Sequence, residues 1–236
     1  MIFQRPDNSR GRSDVERRDS RHAFSFGGYY DPQWMGFGPL RVLNEYRLAP
    51  GAGFDTARHA NMELLTFVVA GELAHEDDIG GSGAVRSGEL QWLSGGHGVK
   101  HAERNASSSE PLHLLQMWIQ PSRLNHEPAY ATHAAAPAEA RGWTLLASGD
   151  GAGDSLAIRQ DARILQLRLD RGEVATFDLD LSRLYWLQVV SGPVSANDGI
   201  DLQAGDALGL RDEAGTLRLQ GAGDGRALVL LFDLPQ

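Results

Sequence analysis

The 236-residue chain contains no cysteine. Disulfide scaffolds, thiolate-bound zinc, iron–sulfur clusters and thiol catalysis are thereby excluded, and a reducing compartment is accommodated. No stretch approaches the ~18 apolar residues of a membrane-spanning helix. The opening MIFQRPDNSRGRSDVERRD is polar and lacks the apolar centre of a secretory signal. A cytoplasmic protein with no membrane association is therefore expected. Positive charge is scarce: 22 Lys and Arg against 31 Asp and Glu leave a net charge of −9. So acidic a chain has little attraction for phosphate backbones, and no nucleic-acid partner is expected. Residues 1–120 carry no sustained helical period. Histidine is missing from everything after His133.

What is present reads as one fold class. Apolar residues at 42% and charged residues at 22% are ordinary for a globular chain, which excludes disorder as the overall state. With 28 Gly and 10 Pro the chain is rich in turns, which favours an all-β fold. Short β-compatible runs lie between Gly, Asn and Asp at 40–48, 63–69, 71–75, 89–93 and 112–119, and again at 164–169, 174–179, 184–190, 205–210, 216–219 and 227–232. Between them, QPSRLNHEPAYATHAAAPAEARG (120–142) is rich in Ala and Pro and poor in strand formers. The expected division is a barrel over 1–121, a linker over 122–142 and a second barrel over 143–236. The halves echo one another: FVVAGEL (67–73) resembles QVVSGPV (188–194), and VRSGEL (85–90) resembles LQAGDA (202–207), both at an offset near 120. A strand, a Gly turn, a strand and an x-x-Gly-acidic turn, met twice, predict two stacked β-barrels.

The residues that carry chemistry are in the first half. His59 precedes the strand that opens at Glu63, and His101 and Glu103 follow about forty residues on. Residues two apart on a strand share a face, so His101 and Glu103 can point into one barrel with His59 entering from the neighbouring wall. Two imidazoles and a carboxylate with open positions form the facial triad of non-haem iron(II) sites. Against this stands the plainer possibility that each is a surface residue.

Longer motifs surround that triad. GFDTARHANME (53–63) through GELAH (71–75) resembles the first cupin motif, and GELQWLSGGHGVKHAERN (88–105) the second. SRHAFSF (20–26), YDP (30–32), MGFGPLRV (35–42), LHLLQMWI (112–119) and LLFDLP (230–235) extend the likeness along the chain. The pattern resembles the pirin family, and within it the bacterial quercetinase-like members. That resemblance implies a bicupin whose N-terminal barrel holds one divalent metal, iron(II), while the C-terminal barrel holds none. It implies ligands at position 57, His59, His101 and Glu103, and Glu103 as the group that accepts a proton from a flavonol hydroxyl. The resemblance also implies that dioxygen then opens the ring and carbon monoxide leaves.

The chain departs from the pattern at position 57, which is Ala and offers no donor atom. Three outcomes follow. His59, His101 and Glu103 still bind a metal; His97, in the Gly-rich turn, replaces the missing ligand; or the site is empty and an inward Arg58 draws an anion instead. Arg58 itself cannot ligate, having no free lone pair. A flavonol dioxygenase is expected in the first two cases. In the third a regulatory or binding module with a protein partner is the alternative. Leu65, Phe67, Leu93 and Met117 are expected as apolar walls for the flat substrate. Phe24, Phe26, Tyr29, Tyr30 and Trp34 are expected as core or plug residues, His22 as a packing residue, and His75 and His113 as wall residues able to support a ligand from behind.

Overall fold

In the computed structural model, which describes residues 1–197 and 199–236, the chain is built from antiparallel strands, with no α-helix among the described residues. The strands are β1 (Ile2–Arg5), β2 (Gly11–Val15), β3 (Arg18–His22), β4 (Leu40–Leu48), β5 (Gly53–His59), β6 (Glu63–Ala70), β7 (Glu72–Asp77), β8 (Ser82–Arg86), β9 (Leu90–Ser94), β10 (Val99–Asn105), β11 (Leu112–Ile119) and β12 (Ala129–His133). They continue as β13 (Thr144–Ser148), β14 (Leu156–Ala157), β15 (Arg163–Leu169), β16 (Val174–Leu179), β17 (Arg183–Ser191), β18 (Val194–Ala196), β19 (Ile200–Leu202), β20 (Ala207–Arg211), β21 (Gly215–Gly221) and β22 (Ala227–Pro235). Two compact units result. The first comprises Gly11–Ala136 with Leu156–Gln160; the second comprises Met1–Arg10, Pro137–Ser155 and Asp161–Gln236.

This division differs from the expected one, and hydrogen bonding explains why. β1 pairs with β20 from Ile2↔Leu210 to Arg5↔Ala207, and the Asp7 N–H donates to Asp206, so the first ten residues belong to the second unit. The expected linker is not featureless: β12 pairs with β9 from Ala129↔Ser94 to His133↔Leu90 and extends a sheet of the first unit. Within that unit too, the Arg159 N–H reaches the Glu63 carboxylate.

Each unit is a pair of sheets. In the first, β12-β9-β6-β11-β4-β3-β2 faces a smaller sheet ordered β5-β10-β7-β8; in the second, β1-β20-β17-β22-β15-β13 is matched by β16-β21-β18-β19. The repeated sequence marks equivalent corners. After β6, Gly71 turns at φ +90, and after β17, Gly192 turns at φ +70. Neither has room for a side chain, since a Cβ would lie 2.9 Å from Pro111 O in one case and 2.8 Å from Ala227 Cα in the other. Further on, Gly88 and Gly205 donate to the carbonyls of Val68 and Val189, and the next residues, Glu89 and Asp206, fold their carboxylates back onto the N–H of Arg86 and Gln203. The acid of the x-x-Gly-acidic turn thus satisfies a backbone donor three residues earlier.

The interiors differ. Leu165, Leu167, Leu187, Val189, Leu217, Leu219 and Leu231 belong to one continuous apolar core in the second unit. In the first, apolar packing is divided between a cluster around Leu48, Val68 and Leu112 and another of Leu64, Leu93 and Val99. Buried polar residues including Thr66, His75, Gln91, His101, Glu103 and Gln116 accompany them. No helix among the described residues is long and apolar enough to cross a membrane.

Candidate metal centre

The site is set by the register of β5, β10 and β7. His101 lies opposite Ala57 on one side and Asp77 on the other; Glu103 lies opposite Phe54 and His75; Val99 lies opposite His59. Residues directly opposite on neighbouring antiparallel strands share a face, so one wall carries all these side chains. A bulge on β5 accompanies this, the partner of β10 jumping from Ala57 to Phe54 between His101 and Glu103.

His101 and Glu103 come together as the sequence predicts, and with them stands His75. One donor atom from each of His75, His101 and Glu103 lies within 4.8 Å of the other two. His59 stands alongside, its ring centre 4.9 Å from that of His101 and 4.9 Å from that of Trp118, both edge-on. His97 does not approach: its side chain is 54% exposed and its Nε2 meets Glu127 at 3.0 Å, which overturns its role as a replacement ligand. Arg58 is exposed and donates to the His97 carbonyl at 3.0 Å, so it is not an inward cation either. Both residues flank a turn at the surface end of the strands, where water offers a cheaper environment than the barrel interior.

Glu103 is 2% exposed and its carboxylate is held by neutral donors. The Gln91 amide donates to Oε1, the Gln116 amide to Oε2 at 2.7 Å, and the Thr66 hydroxyl reaches Oε1 at 3.4 Å. Burial pushes the Glu103 carboxyl up, against the lowering effect of these donors and of His75. His59 and His101 move the other way, each to about 4, chiefly through burial and then through repulsion from a neighbouring imidazole. Near neutral pH both rings are uncharged and offer lone pairs, as metal ligands must.

The chemistry of this donor set fits a first-row divalent cation. Two observations add to it: the Nδ1 atoms of His75 and His101 are buried without a hydrogen-bond partner. Such orphaned nitrogens are rare unless something binds them.

The site opens on a cavity of about 770 Å³ lined by His59, His101, Glu103, Phe26, Phe54 and Trp118 among others. Tyr46 also lines it. The Tyr46 oxygen accepts from the Asn44 amide at 2.9 Å, and Asn44 Oδ1 is 2.8 Å from His22 Nδ1. Burial lifts the Tyr46 hydroxyl to about 12, so it keeps its proton.

The walls are not those expected. Leu65, Phe67, Leu93 and Met117 are buried but do not line the cavity. The period of two explains three of them, because Thr66 and Gln116 face Glu103 and so turn Leu65, Phe67 and Met117 the other way. Of the N-terminal aromatics, Phe24 is core, Phe26 and Tyr29 line the cavity, and Tyr30 is 72% exposed. His22, expected to pack, lines the cavity as well. Sequence reasoning missed Thr66, Gln91, Gln116 and Tyr46 as parts of the site. Their signal was polarity at positions in step with core residues of the same strands.

Comparison with known proteins agrees with this architecture. The sequence pattern of the pirin family matches residues 4–119, and that of the quercetinase C-terminal cupin domain matches residues 145–234. A quercetin 2,3-dioxygenase of Escherichia coli K12 is 38% identical over 235 residues, covering all of this chain and 99% of the relative. The chain belongs to the pirin family. A pirin-like protein of Caulobacter vibrioides is 37% identical over 91% of this chain and 92% of its own length. The crystal structure of the E. coli bacterial pirin YhhW in complex with nickel(II) covers 100% of this chain and 99% of that one, at 39% identity and a TM-score of 0.93. This pirin is a bicupin, as the two barrels and these neighbours show.

Proposed function

We propose that this pirin is a metal-dependent flavonol 2,3-dioxygenase acting in the first barrel. The observation that carries the proposal is the juxtaposition of buried His101 and Glu103, with His59 beside them, at a 770 Å³ cavity walled by aromatic rings. Cavities of roughly 300–1,000 Å³ suit small organic ligands, and a three-ring flavonol falls within that class.

The residues proposed to hold the ion are His59, His101 and Glu103, and two neutral imidazoles with one carboxylate point to iron(II). When bound, the metal supplies Lewis acidity toward a flavonol oxygen and an open coordination position. The chain supplies the rest. Glu103, whose burial raises its proton affinity, accepts the proton of the flavonol hydroxyl; Gln91 and Gln116 hold its carboxylate in place. Tyr46 already accepts a hydrogen bond from Asn44, so its own proton is free to meet an oxygen of the substrate. Phe26, Phe54 and Trp118 stack on or edge the flat rings and keep water from them. Dioxygen adds to the electron-rich substrate, the central ring opens and carbon monoxide is lost.

The test is oxygen consumption and carbon monoxide release by the iron(II)-loaded chain with quercetin. Turnover lost in His101→Gln supports the proposal. A chain that holds one metal per molecule yet consumes no oxygen with flavonols would instead be a binding module.

A further inference from the structure

Position 57 lies directly opposite His101 on β5, and Ala57 puts no donor there. The strand on the other flank of His101 is β7, and it carries His75 opposite Glu103. We propose that His75 supplies the metal donor that Ala57 lacks, joining His101 and Glu103 on the inner side of the ion while His59 binds it from the cavity side, three imidazoles and a carboxylate in all. This rests on the metal site proposed above and decides which histidines hold the ion.

His75 carries the marks of a ligand rather than of a packing residue. Its side chain is fully buried, its Nε2 meets Asp77 Oδ2 at 3.0 Å, and its Nδ1 has no hydrogen-bond partner. The Asp77 contact fixes the tautomer: Nε2 carries the hydrogen and Nδ1 presents the lone pair. A carboxylate behind a histidine is the recurring support of metal-bound imidazoles, because it orients the ring and strengthens the donor.

Asp77 is itself fixed. Its Oδ1 accepts the N–H of Ile79 at 3.0 Å and of Gly81 at 2.7 Å. Gly81 makes this seat, since a Cβ there would lie 2.3 Å from Asp77 Oδ2. The flat of the His75 ring is fixed by Tyr130, stacked at 4.6 Å between centroids with 6° between planes. The Tyr130 hydroxyl is 3.4 Å from Gln91 Oε1, and Gln91 donates to Glu103, so one chain of contacts orients both His75 and Glu103.

Distances agree with ligation. Three donors at about 2.1 Å from a tetrahedral ion lie ~3.4 Å from one another. The donors of His75, His101 and Glu103 already stand within 4.8 Å of one another, so each has to move toward a common centre by less than about an ångström. His75 does not line the cavity, whereas His59 does, so ligation by His75 leaves the cavity side open to substrate.

The test uses cobalt(II) as the probe on the full-length, metal-stripped chain. Affinity is measured by visible absorbance against a competing chelator for wild type, His75→Gln, His101→Gln and Asp77→Asn. X-ray absorption on the cobalt-loaded wild type counts bound imidazoles without any variant. Expected are three imidazoles, a loss of about 10- to 100-fold for His75→Gln comparable with that for His101→Gln, and about tenfold for Asp77→Asn. Adding Ala57→His to His75→Gln is expected to regain most of the affinity. Two imidazoles in the wild type, or His75→Gln binding as tightly as wild type while His101→Gln does not, overturns the assignment of His75 and leaves the metal site standing. Failure of the wild type to bind cobalt(II) removes both.

Discussion

The two barrels share a backbone plan and differ in what fills it. Strand registers give the correspondence. Thr66, opposite Gln91 and Gln116, matches Leu187, opposite Leu208 and Leu231. The pair His75 and Glu103 matches Ala196 and Leu219, and Ala57 opposite His101 matches Phe177 opposite Leu217. Each polar group that touches the Glu103 carboxylate therefore has an apolar counterpart in the second barrel's core. One frame has been packed shut and the other kept as a polar socket. A buried carboxylate is tolerable only with its donors present, so the socket is kept together as a set or not at all.

The sharpest way to break the contrast is to write one barrel's residue into the other. Glu103→Leu is expected to strip the metal and lower quercetin turnover by at least about 10²- to 10⁴-fold, the range for loss of a positioned base. Metal content and oxygen uptake check it, and turnover within tenfold of wild type would remove Glu103 from the reaction. The reciprocal change, Leu219→Glu, places a carboxylate where no amide or hydroxyl waits for it. A loss of about 3–5 kcal/mol is expected from urea unfolding, as for other uncompensated buried charges. A near-neutral result would mean that the second barrel's interior is wetter than its Leu packing implies.

Intermediate effects separate the supports from the group they hold. Gln91→Leu copies Leu208 and takes a donor from Glu103 Oε1, leaving the longer Thr66 contact. Stability is expected to fall by about 1–3 kcal/mol, the cost of an unsatisfied buried acceptor, although the new side chain is more apolar. An unfolding curve unchanged from wild type would show that Thr66 suffices. Tyr46→Phe keeps the ring and removes the proton offered to substrate. It is expected to lower kcat/KM by about 3- to 10-fold, the worth of one neutral hydrogen bond, with metal content unchanged.

Much of this contrast was legible in the chain itself. Strands at 40–48, 112–119 and 174–179 have the bounds their alternation suggests, and the offset near 120 locates equivalent turns. His101 and Glu103 could be paired because a spacing of two on a strand is unambiguous. Other parts were hidden for physical reasons. β5 is a half-exposed strand with little apolar alternation, so local pattern alone places His59 before a strand and not on one. The role of His75 depends on which strand flanks β10, a matter of topology that local pattern does not encode. Even so, Leu73, His75 and Asp77 share one face of β7, and a histidine in step with a buried leucine was a usable sign. Met1–Arg10 could not be assigned to the second unit for the same reason, since its partner strand is some 200 residues away.

The smallest expected effect uses the uneven distribution of histidine. In the metal-free protein His59 and His101 titrate near 4 instead of 6.5, because burial and neighbouring imidazoles oppose their charge. Between those values the unfolded chain takes up protons that the folded first barrel refuses. The stability they contribute is therefore fully present above pH ~6.5 and is lost as pH falls toward 4. His59 is partly exposed, which reduces its share. About 1 kcal/mol lowers the melting temperature of a chain this size by roughly 2–4 °C, so a drop of that order is expected between pH 7 and pH 5 after chelator treatment. The second unit contains no histidine and has no such contribution in that window. Calorimetry at the two pH values, repeated on His59→Gln with His101→Gln, isolates it: the double variant is expected to flatten the dependence. A wild-type transition indifferent to pH in this range would mean that both imidazoles accept protons as readily folded as unfolded, and that the socket is open to water before any metal enters it.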